Sequence, residues 1–441
     1  MLCPAEADLI LREPELPGLR VVLDPDAFAE LLQSRLRGTV VRGIKDGYVH
    51  YKPGNSCLGS YELRVEGQVV RVYVRAYRRS DRAKIEKHAA LPQVAGAMGP
   101  GRFYMEDLAL LVTVFPNDVR LPVLARLADD QRRRELFHRV FRGRFDPSGA
   151  EVICLGYKPE RRFVAALRES GSERAVVKFY DWETFAPAKA KLFRSSEILR
   201  VAKRLGRCKR HRIVAYEWLP GRLLRDELVS GRATPHDLEH VGAAVAELHT
   251  EAVEPSMLPE IRHASLAKRV ATLAWFVGCV FPSAAHRAAT LAERIIERLR
   301  HEPRRLAPIH GDLNEKQVLL AGDRVGLVDF DESAMGDPAI DLGNFLGYSY
   351  YDHGMTPGRL PAETVRDAVL EGYRWQAGPM DANRFNLYLA MSLLRIAPRG
   401  FRTRDPHWPE RLEAVLARAE SLLDGQHVHS SVPRAVCAAD C

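Results

Sequence analysis

Two stretches of alternating apolar and polar residues, about a hundred positions apart, dominate the first half of the chain. Residues 40–77 (VVRGIKDGYVHYKPGNSCLGSYELRVEGQVVRVYVRAY) are rich in Val and Tyr, and the turn sequences KPGN and EGQ interrupt them. Alternation with a period of two between turn signals predicts three antiparallel strands. Residues 151–180 (EVICLGYKPERRFVAALRESGSERAVVKFY) show the same pattern. We therefore expect two β-rich units.

Three short segments of the first stretch recur in the second, in the same order and at a nearly constant offset. Such recurrence predicts an internal duplication of a strand–turn–strand–turn–strand–helix unit, and chance similarity between two ordinary hairpins is the alternative. Arg75 stands in the first unit where Lys178 stands in the second, so the first unit is not expected to be a second active site. The matching segments are Tyr51-Lys52-Pro53 with Tyr157-Lys158-Pro159, VYVRAY (72–77) with AVVKFY (175–180), and AKIEK (83–87) with AKAKL (188–192).

From residue 235 onward, apolar positions recur mostly with the period of an α-helix. The exception is a strand-rich segment at 306–330. The longest apolar run, Val270 to Phe281, is too short to span a bilayer and predicts a buried helix. The polar, aperiodic stretch at 426–441 is typical of disorder. Core helices are expected at 244–249, 267–281, 287–300, 363–375 and 383–396.

These patterns predict an α+β protein with a β-rich N-lobe and a helical C-lobe, preceded by an extra, degenerate β-rich cap. The cap is expected to be the first copy of the duplicated unit. The expected boundaries are 1–145 for the cap, 146–221 for the N-lobe, 222–425 for the C-lobe and 426–441 for a disordered tail.

Composition narrows the class of protein. The 441 residues are 46% hydrophobic and carry a formal net charge of +8, with basic residues spread along the chain. Without a basic arm, zinc-finger spacing or an aromatic–basic motif, we expect no nucleic-acid partner. Seven cysteines with no C-x-x-C pair favour neither a disulfide framework nor a zinc site. An acidic N-terminal segment with no long apolar run predicts a cytoplasmic protein without a membrane segment. The oligomeric state stays open.

The strand-rich segment carries the candidate chemistry. Asp312 lies in a His310-Gly311-Asp312 turn, and Gln317 follows five residues later. Two short apolar strands then lead to Asp329. Because a hairpin returns to its starting edge, Asp329 is expected to lie beside Asp312. Phosphoryl transfer needs a carboxylate that deprotonates the attacking hydroxyl, oxygen ligands for Mg²⁺, and a lysine for the nucleotide phosphates.

An H-x-D segment followed by a hydrophobic hairpin that ends in Asp resembles the catalytic core of the aminoglycoside phosphotransferase and choline kinase family, which has a protein-kinase-like fold. The resemblance implies that Asp312 is the catalytic base, with His310 in the same catalytic segment. It also implies that Gln317 and Asp329 bind Mg²⁺. In the segment GDPAIDLGNF (336–345), Asp341 would brace the catalytic loop by accepting backbone hydrogen bonds.

One residue departs from the family pattern, because Gln317 stands where the family usually has Asn. The longer side chain keeps the amide oxygen but moves it, so the metal would shift or bind through water. A Gln here is similar to maltokinase and related bacterial sugar kinases. A damaged, inactive site is the alternative.

The resemblance also implies a nucleotide site in the N-lobe. Lys178, on an apolar strand, would pair with Glu197 on a helix and reach the phosphates; a lysine facing water at a strand edge is the alternative. A loop with Lys158, Arg161 and Arg162 would cover the phosphates, and a solvated basic turn is the alternative. A hinge would bind the adenine through the backbone of Glu217, Trp218 and Leu219, and a structural strand end is the alternative.

The resemblance therefore implies a small-molecule kinase that uses ATP or GTP with Mg²⁺ to phosphorylate a hydroxyl group. A kinase-like pseudoenzyme is the alternative, and a protein kinase is disfavoured because no activation-loop segment follows Asp329. Asp331, Glu332 and Asp337 crowd the acceptor side and favour a neutral or cationic acceptor, such as a sugar, an aminosugar or an aminoglycoside. The alternative is that these carboxylates cap a helix or pair with arginines. Further acceptor candidates are Tyr348, Tyr351, Asp352 and Trp375.

Overall fold

The structure of the protein is a computed structural model. The predicted tail at 426–441 and the third duplication anchor at 188–192 lie outside the described residues. The described residues are 2–35, 41–65, 67–96, 98–143, 147, 149–185, 193–352 and 359–425.

The N-terminal part of the chain forms a five-stranded sheet with helices around it. The strand order is β1-β2-β3-β5-β4, and neighbouring strands are antiparallel. Its strands are β1 (Val41–Lys52), β2 (Ser56–Val65), β3 (Gln68–Tyr77), β4 (Arg102–Met105) and β5 (Leu110–Val114). Its helices are α1 (Pro4–Arg12), α2 (Leu19–Leu23), α3 (Pro25–Arg35) and α4 (Arg82–Ala89). The next helix, α5 (Asp130–Phe141), packs against the second sheet.

A second five-stranded sheet repeats this connectivity. Its order is β6-β7-β8-β11-β10, so both sheets consist of a three-stranded meander, then the fifth strand, then the fourth. Arg75 and Lys178 occupy the central strands β3 and β8, which supports the duplication. The strands are β6 (Glu151–Lys158), β7 (Arg162–Glu169), β8 (Ser172–Tyr180), β10 (Arg204–Cys208) and β11 (Ile213–Glu217). Strand β9 (Leu199–Val201) lies between β8 and β10 in the chain but belongs to another sheet.

The C-terminal half is helical, and each predicted core helix is present. In α8 the buried residues Leu266, Val270, Ala274 and Val277 recur every three or four positions, the spacing of one helix face. The helices are α6 (Leu224–Val229), α7 (Pro235–Thr250), α8 (His263–Val280), α9 (Ala285–His301), α10 (Pro338–Tyr351), α11 (Ala362–Ala377), α12 (Ala382–Ile396), α13 (Arg399–Thr403) and α14 (Trp408–Leu423). Within the described ranges, no helix combines the length and apolar character needed to cross a membrane.

Short strands connect the two halves and frame the predicted catalytic segment. Strand β9 runs parallel to β15, and this pairing joins the N-lobe to the C-lobe. Strands β14 and β15 form the catalytic hairpin, which lies between Asp312 and Asp329 in the sequence. The strands are β12 (Arg222–Leu223), β13 (Ala307–Ile309), β14 (Val318–Ala321), β15 (Arg324–Leu327) and β16 (Ala334–Gly336). This α+β arrangement of β-rich and helical lobes confirms the predicted fold class. We propose the domain boundaries near residues 145 and 221.

The first sheet also packs against the helical half. The Tyr51 ring on β1 lies 6.3 Å from the Phe276 ring of α8 and 6.1 Å from the Phe401 ring of α13. Arg404, just beyond α13, makes an ion pair of 2.6 Å with Glu6 of α1. The N-terminal unit thus contacts both the second sheet, as shown below, and the C-terminal helices.

Candidate active site

The catalytic loop begins where β13 ends, and a buried carboxylate holds it from behind. Asp341, in the first turn of α10, is fully buried. Its two oxygens accept hydrogen bonds from the backbone N–H groups of His310, at 2.6 Å, and Gly311, at 2.8 Å. Burial disfavours the charged form of Asp341, yet its hydrogen bond with His249 and the charges of both histidines hold its pKa below the usual value. Asp341 therefore fixes the loop as an ionised group.

Gly311 allows the chain to turn between His310 and Asp312. Its φ is +86°, and a Cβ atom at this position would lie 2.2 Å from the carbonyl oxygen of Glu332. A methyl group would meet rigid backbone there, so the loop would have to move.

Substituting alanine for Gly311 is expected to lower kcat by roughly tenfold or more, because a shift of about 1 Å in a reacting group can cost up to a hundredfold. Gly322→Ala is the matched control, since Gly322 also has a positive φ of +64° but has open space around its Cβ position. Steady-state kinetics and melting temperatures of both variants test this. Equal losses of activity in the two variants would contradict it.

His310 positions the loop and does not face the cleft. Its side chain is buried, its Nε2 lies 2.9 Å from the carbonyl oxygen of Val328, and its ring packs 4.8 Å from that of Phe330. Val328 immediately precedes Asp329. His310 therefore links the segment that carries the predicted base to the segment that carries the predicted metal ligand.

Asp312 lines a cavity of about 320 Å³ that lies between the catalytic loop and helices α8, α10 and α12. Its side chain is 42% exposed, and its Oδ1 accepts a hydrogen bond of 2.9 Å from Nη1 of Arg395. Its carbonyl oxygen accepts a hydrogen bond from the Asn314 side chain. The arginine contact was not predicted.

Gln317 has a different role from the one expected. Its Oε1 accepts two hydrogen bonds from Asn314, one from the backbone N–H at 3.0 Å and one from Nδ2 at 2.9 Å. An amide oxygen has two lone pairs, and both are used here. In this conformation Gln317 braces the catalytic loop, and its oxygen is not available as a metal ligand.

Asp329 lies at the centre of a charged cluster between the second sheet and the catalytic hairpin. Its Oδ1 accepts hydrogen bonds from Nζ of Lys178, at 2.7 Å, and from Nη1 of Arg162, at 3.1 Å. Burial opposes its ionisation, but the two cations outweigh that effect and hold the pKa of Asp329 well below its usual range. Lys178 and Arg162, each more than 150 positions before Asp329 in the sequence, therefore contact this carboxylate.

The predicted pairing of Lys178 with Glu197 is wrong. Glu197 lies exposed in a bend just before β9, because residues 199–201 pair with the catalytic hairpin and do not continue a helix. Lys178 makes its ion pair with Asp329 and approaches Asp331 at 3.5 Å.

Two of the three predicted acceptor carboxylates do not face the acceptor cavity. Asp331 accepts hydrogen bonds from Arg162, at 3.1 Å, and from the Tyr180 hydroxyl, at 2.9 Å, on the Lys178 side of the cleft. Asp337 is buried, caps α10 through the Ala339 N–H, and pairs with Arg384. Glu332 alone of the three lines the cavity. The predicted acidic acceptor site is therefore not formed.

The remaining acceptor candidates are dispersed. The Tyr348 ring lies beneath the guanidinium groups of Arg395 and Arg399, at 5.9 and 5.0 Å. Tyr351 is buried beside Arg399, Asp352 lies 3.8 Å from Arg359, and Trp375 is 53% exposed on α11.

The loop between β6 and β7 extends over the Asp329 cluster. Arg162 reaches Asp329 directly, whereas Lys158 and Arg161 present exposed side chains. The pKa of Lys158 is lowered because the surrounding protein desolvates it and because Arg162 and Arg161 repel its charge. A loop of three cations that repel one another is suited to a polyanion.

The first sheet holds this loop in place, which was not expected. Nη1 of Arg75 pairs with the carboxylate of Glu160, which is buried in the loop. Asp118 is fully buried, and its Oδ2 accepts hydrogen bonds of 2.7 Å from the Glu160 N–H and from the Tyr157 hydroxyl. In the sequence, the one indication of a role for Arg75 was that it corresponds to Lys178 in the duplicated unit.

At the predicted hinge, two of the three backbone N–H groups already have partners. Glu217 N–H donates to Lys203, and Trp218 N–H donates to Arg174. Leu219 follows at the point where the two lobes join and is buried.

A sequence model of the phosphotransferase enzyme family (APH) matches residues 144–382, more than half of the chain. The chain belongs to this phosphotransferase enzyme family. The match confirms the predicted kinship and the predicted enzyme class, a phosphotransferase with the fold of small-molecule kinases. The likeness to maltokinase at Gln317 stays a prediction.

Solved structures of other proteins resemble the chain distantly. A choline/ethanolamine kinase family protein from Mesorhizobium loti is 17% identical, with a TM-score of 0.44 over 62% of this chain and 88% of that one. A putative fructosamine-3-kinase from Thermobifida fusca is 21% identical, with a TM-score of 0.42 over 62% and 93%. An AMP-bound spectinomycin phosphotransferase is 12% identical, with a TM-score of 0.45 over 66% and 98%. A comparison with curated proteins gave no match.

Proposed function

We propose that this phosphotransferase moves the γ-phosphate of ATP to a hydroxyl group of a small polar molecule. The convergence of Lys178, Arg162 and Asp329 at one cleft supports this proposal. The charged cluster provides groups for a nucleotide polyphosphate. Asp312 lies beside it at the mouth of a separate cavity, where an acceptor can enter.

In this reaction the acceptor oxygen forms a bond to the γ-phosphorus, and the bond between that phosphorus and the oxygen bridging to the β-phosphate breaks. The electron pair leaves on ADP, and the hydroxyl proton passes to Asp312. Lys178 and the loop cations Lys158 and Arg162 bind phosphate oxygens. Asp341 and His310 hold the base in position without touching the substrate.

The residues present fit a magnesium ion. Asp329 and Asp331 offer hard carboxylate oxygens, the donors that Mg²⁺ prefers, and both already face cations in the form of Lys178 and Arg162. We propose that these two carboxylates hold Mg²⁺ in place of the predicted pair of Gln317 and Asp329. When bound, Mg²⁺ neutralises charge on the transferring phosphate.

We propose that the base of the nucleotide binds at the hinge through Leu219. The N–H groups of Glu217 and Trp218 have partners in the sheet, so recognition of the purine edge falls to the next residue. Backbone recognition alone suits either ATP or GTP. We place the reaction in the cytoplasm, with no nucleic-acid partner.

The acceptor cavity, at about 320 Å³, has room for a molecule of the size of a monosaccharide. A sugar therefore remains a candidate acceptor. The case for an aminosugar or an aminoglycoside is weaker, because it rested on three carboxylates of which only Glu332 lines the cavity.

A pseudoenzyme is a second candidate, and the two internal hydrogen bonds of the Gln317 oxygen favour it. Thermal stability distinguishes the two candidates before any acceptor is known. An active kinase is expected to be stabilised by ATP with Mg²⁺ more than by ATP alone. No additional gain from Mg²⁺ would favour the pseudoenzyme.

The proposed function predicts acceptor-dependent release of ADP. Purified protein with ATP and Mg²⁺ is expected to produce ADP faster in the presence of at least one alcohol among sugars, sugar acids, sugar phosphates, aminosugars, aminoglycosides, choline and homoserine. A coupled ADP assay measures the rate, and mass spectrometry of the product identifies a phosphate ester. A rate that no acceptor raises above the water background would contradict the proposal.

A further inference from the structure

The wall of the acceptor cavity contains two arginines. Arg269 of α8 and Arg395 of α12 line it together with Asp312, Gly311 and Glu332. Apolar side chains such as Val270 and Met391 form much of the remaining wall. Arg269 is exposed and Arg395 is partly buried, and the apolar part of the wall lowers the local dielectric and so strengthens their attraction for a ligand of opposite sign.

Arg395 is only partly satisfied. Its Nη1 donates to Asp312, but its Nε and Nη2 are buried and have no hydrogen-bond partner among the described residues. These two nitrogens form one edge of the guanidinium group, the edge that binds both oxygens of a carboxylate or a phosphate. Burying two such donors without an acceptor is costly, so this edge favours a ligand that supplies one.

A second buried polar group lines the same cavity. Ser392, one turn before Arg395 on α12, is 1% exposed, and its hydroxyl has no hydrogen-bond partner within the described part of the chain. Its oxygen packs against Gly347 of α10, where an added Cβ atom would lie 2.6 Å from it, so the hydroxyl belongs to the contact between α10 and α12 behind the cavity wall.

Further cations surround Arg395. Arg399 packs over the same Tyr348 ring, and Arg402 lies against Phe276 of α8, 5.0 Å from its ring. The pKa of Arg402 is lowered by burial, and the charges of Arg395 and Arg161 act in the same direction. No carboxylate lies within 4 Å of Arg269, Arg399 or Arg402 among the described residues. In the cavity lining Arg269 and Arg395 are balanced by Asp312 and Glu332, so the excess of positive charge on this side of the cleft comes from Arg399 and Arg402.

We propose that the acceptor is an alcohol with an anionic group, either a carboxylate or a phosphate, and that Arg395 and Arg269 bind that group. This inference rests on the proposed function and names the substrate class of the same site. It replaces the neutral or cationic acceptor that the acidic segment 331–337 had suggested.

These arginines are not needed for ATP in this arrangement. The polyphosphate has its own cations, Lys178 and Arg162, which lie at the Asp329 cluster. Arg269 and Arg395 come from helices of the C-terminal half and line the cavity beyond Asp312.

The Arg395 contact also ties acceptor binding to the base. Arg395 occupies Oδ1 of Asp312, an oxygen that can take the hydroxyl proton. An anionic group that draws the guanidinium toward itself satisfies the free edge and frees that oxygen as the hydroxyl arrives. A neutral alcohol offers no such exchange, so it would be both a weaker ligand and a slower substrate.

The test compares alcohols that differ in charge. Glucose, glucosamine, glucuronate and glucose 6-phosphate form one series, and glycerol, glycerate and glycerol 3-phosphate form another. Within at least one series, kcat/KM of an anionic member is expected to exceed that of the neutral member by roughly tenfold or more, the scale of one hydrogen bond to a charged group. The carboxylate and phosphate members separate the two sources of negative charge. Calorimetric titration of the ADP-bound protein with the same compounds measures recognition without turnover.

Neighbouring residues of α8 supply matched variants. Arg269→Ala is expected to raise KM and Kd for the anionic acceptor by roughly tenfold and to leave those for the neutral analogue unchanged. Lys268→Ala removes an adjacent exposed cation that does not line the cavity, and it should change neither. Arg395→Lys keeps the charge but loses the two-pronged edge, so it should recover part of the affinity that Arg395→Leu loses.

Each outcome bears on one claim. Preferred binding and turnover of neutral or cationic members, or equal effects of Arg269→Ala on charged and neutral ligands, would overturn the inference and leave the proposed function standing. Selective binding of the anionic members without phosphoryl transfer to any acceptor would support the inference about the cavity and count against the proposed function.

Discussion

Asp312→Asn is expected to lower kcat by at least about a hundredfold, the usual scale for loss of a general base. The amide cannot take the proton of the acceptor hydroxyl. It keeps the size of the carboxylate and one oxygen that can still accept from Arg395, which now donates to Oδ1 at 2.9 Å. The cavity should therefore persist, and nucleotide affinity should stay near that of the unmodified protein, because the nucleotide cluster is formed by other residues.

Single-turnover kinetics separate this effect from slow product release, and ADP titration checks that the nucleotide site is intact. Asp323→Asn is the control, since Asp323 is exposed in the turn between β14 and β15 and has no proposed part in the reaction. If Asp312→Asn kept the turnover of the unmodified protein, Asp312 could not be the base.

Asp329→Asn is expected to abolish the part of nucleotide affinity that depends on Mg²⁺. The variant keeps the shape of the side chain but removes its negative charge, and with it a principal oxygen ligand for the ion. Lys178 and Arg162 would then lie near a neutral amide, so ATP without metal should still bind through the freed cations. The expected signature is a thermal shift with ATP that Mg²⁺ no longer increases.

The measurement is a melting temperature with ATP alone and with ATP and Mg²⁺, taken for the unmodified protein, Asp329→Asn and the exposed control Asp323→Asn. Lys178→Ala provides the opposite pattern, because it should weaken ATP binding with or without the ion. A Mg²⁺-dependent gain that survives in Asp329→Asn would exclude this carboxylate as a necessary ligand.

The sequence predicted those parts of the site in which local spacing determines geometry. Asp312 and Asp329 lie at the two ends of a short segment, and the hairpin predicted between them is formed by β14 and β15. The helices of the C-terminal half were predictable for a similar reason, since the buried stripe of α8 has the period of the helix itself.

The failures involve partners that lie far away in sequence. In the sequence alone, Asp331 and Asp337 look free to bind an acceptor. In the structure they pair with Arg162 and Arg384, which lie 169 and 47 positions away. Glu197 lies in a sequence with helical character, but pairing of the adjacent β9 with β15 overrides that local preference. Arg395 ends an apolar helical stretch, and nothing near it in sequence indicates that it reaches Asp312.

The contact between the first sheet and the loop that joins β6 to β7 limits how the sequence of the chain can change in evolution. A duplicated unit that has lost its original task is ordinarily free to diverge. Here the side chain at the position of the lysine, Arg75, serves as counterion to Glu160, a carboxylate of the sister unit that is only 4% exposed. Losing Arg75 alone would strand that buried charge, at a cost of about 3–5 kcal/mol. Drift in the first copy is therefore constrained by the second, and Arg75 and Glu160 are expected to be replaced together or not at all.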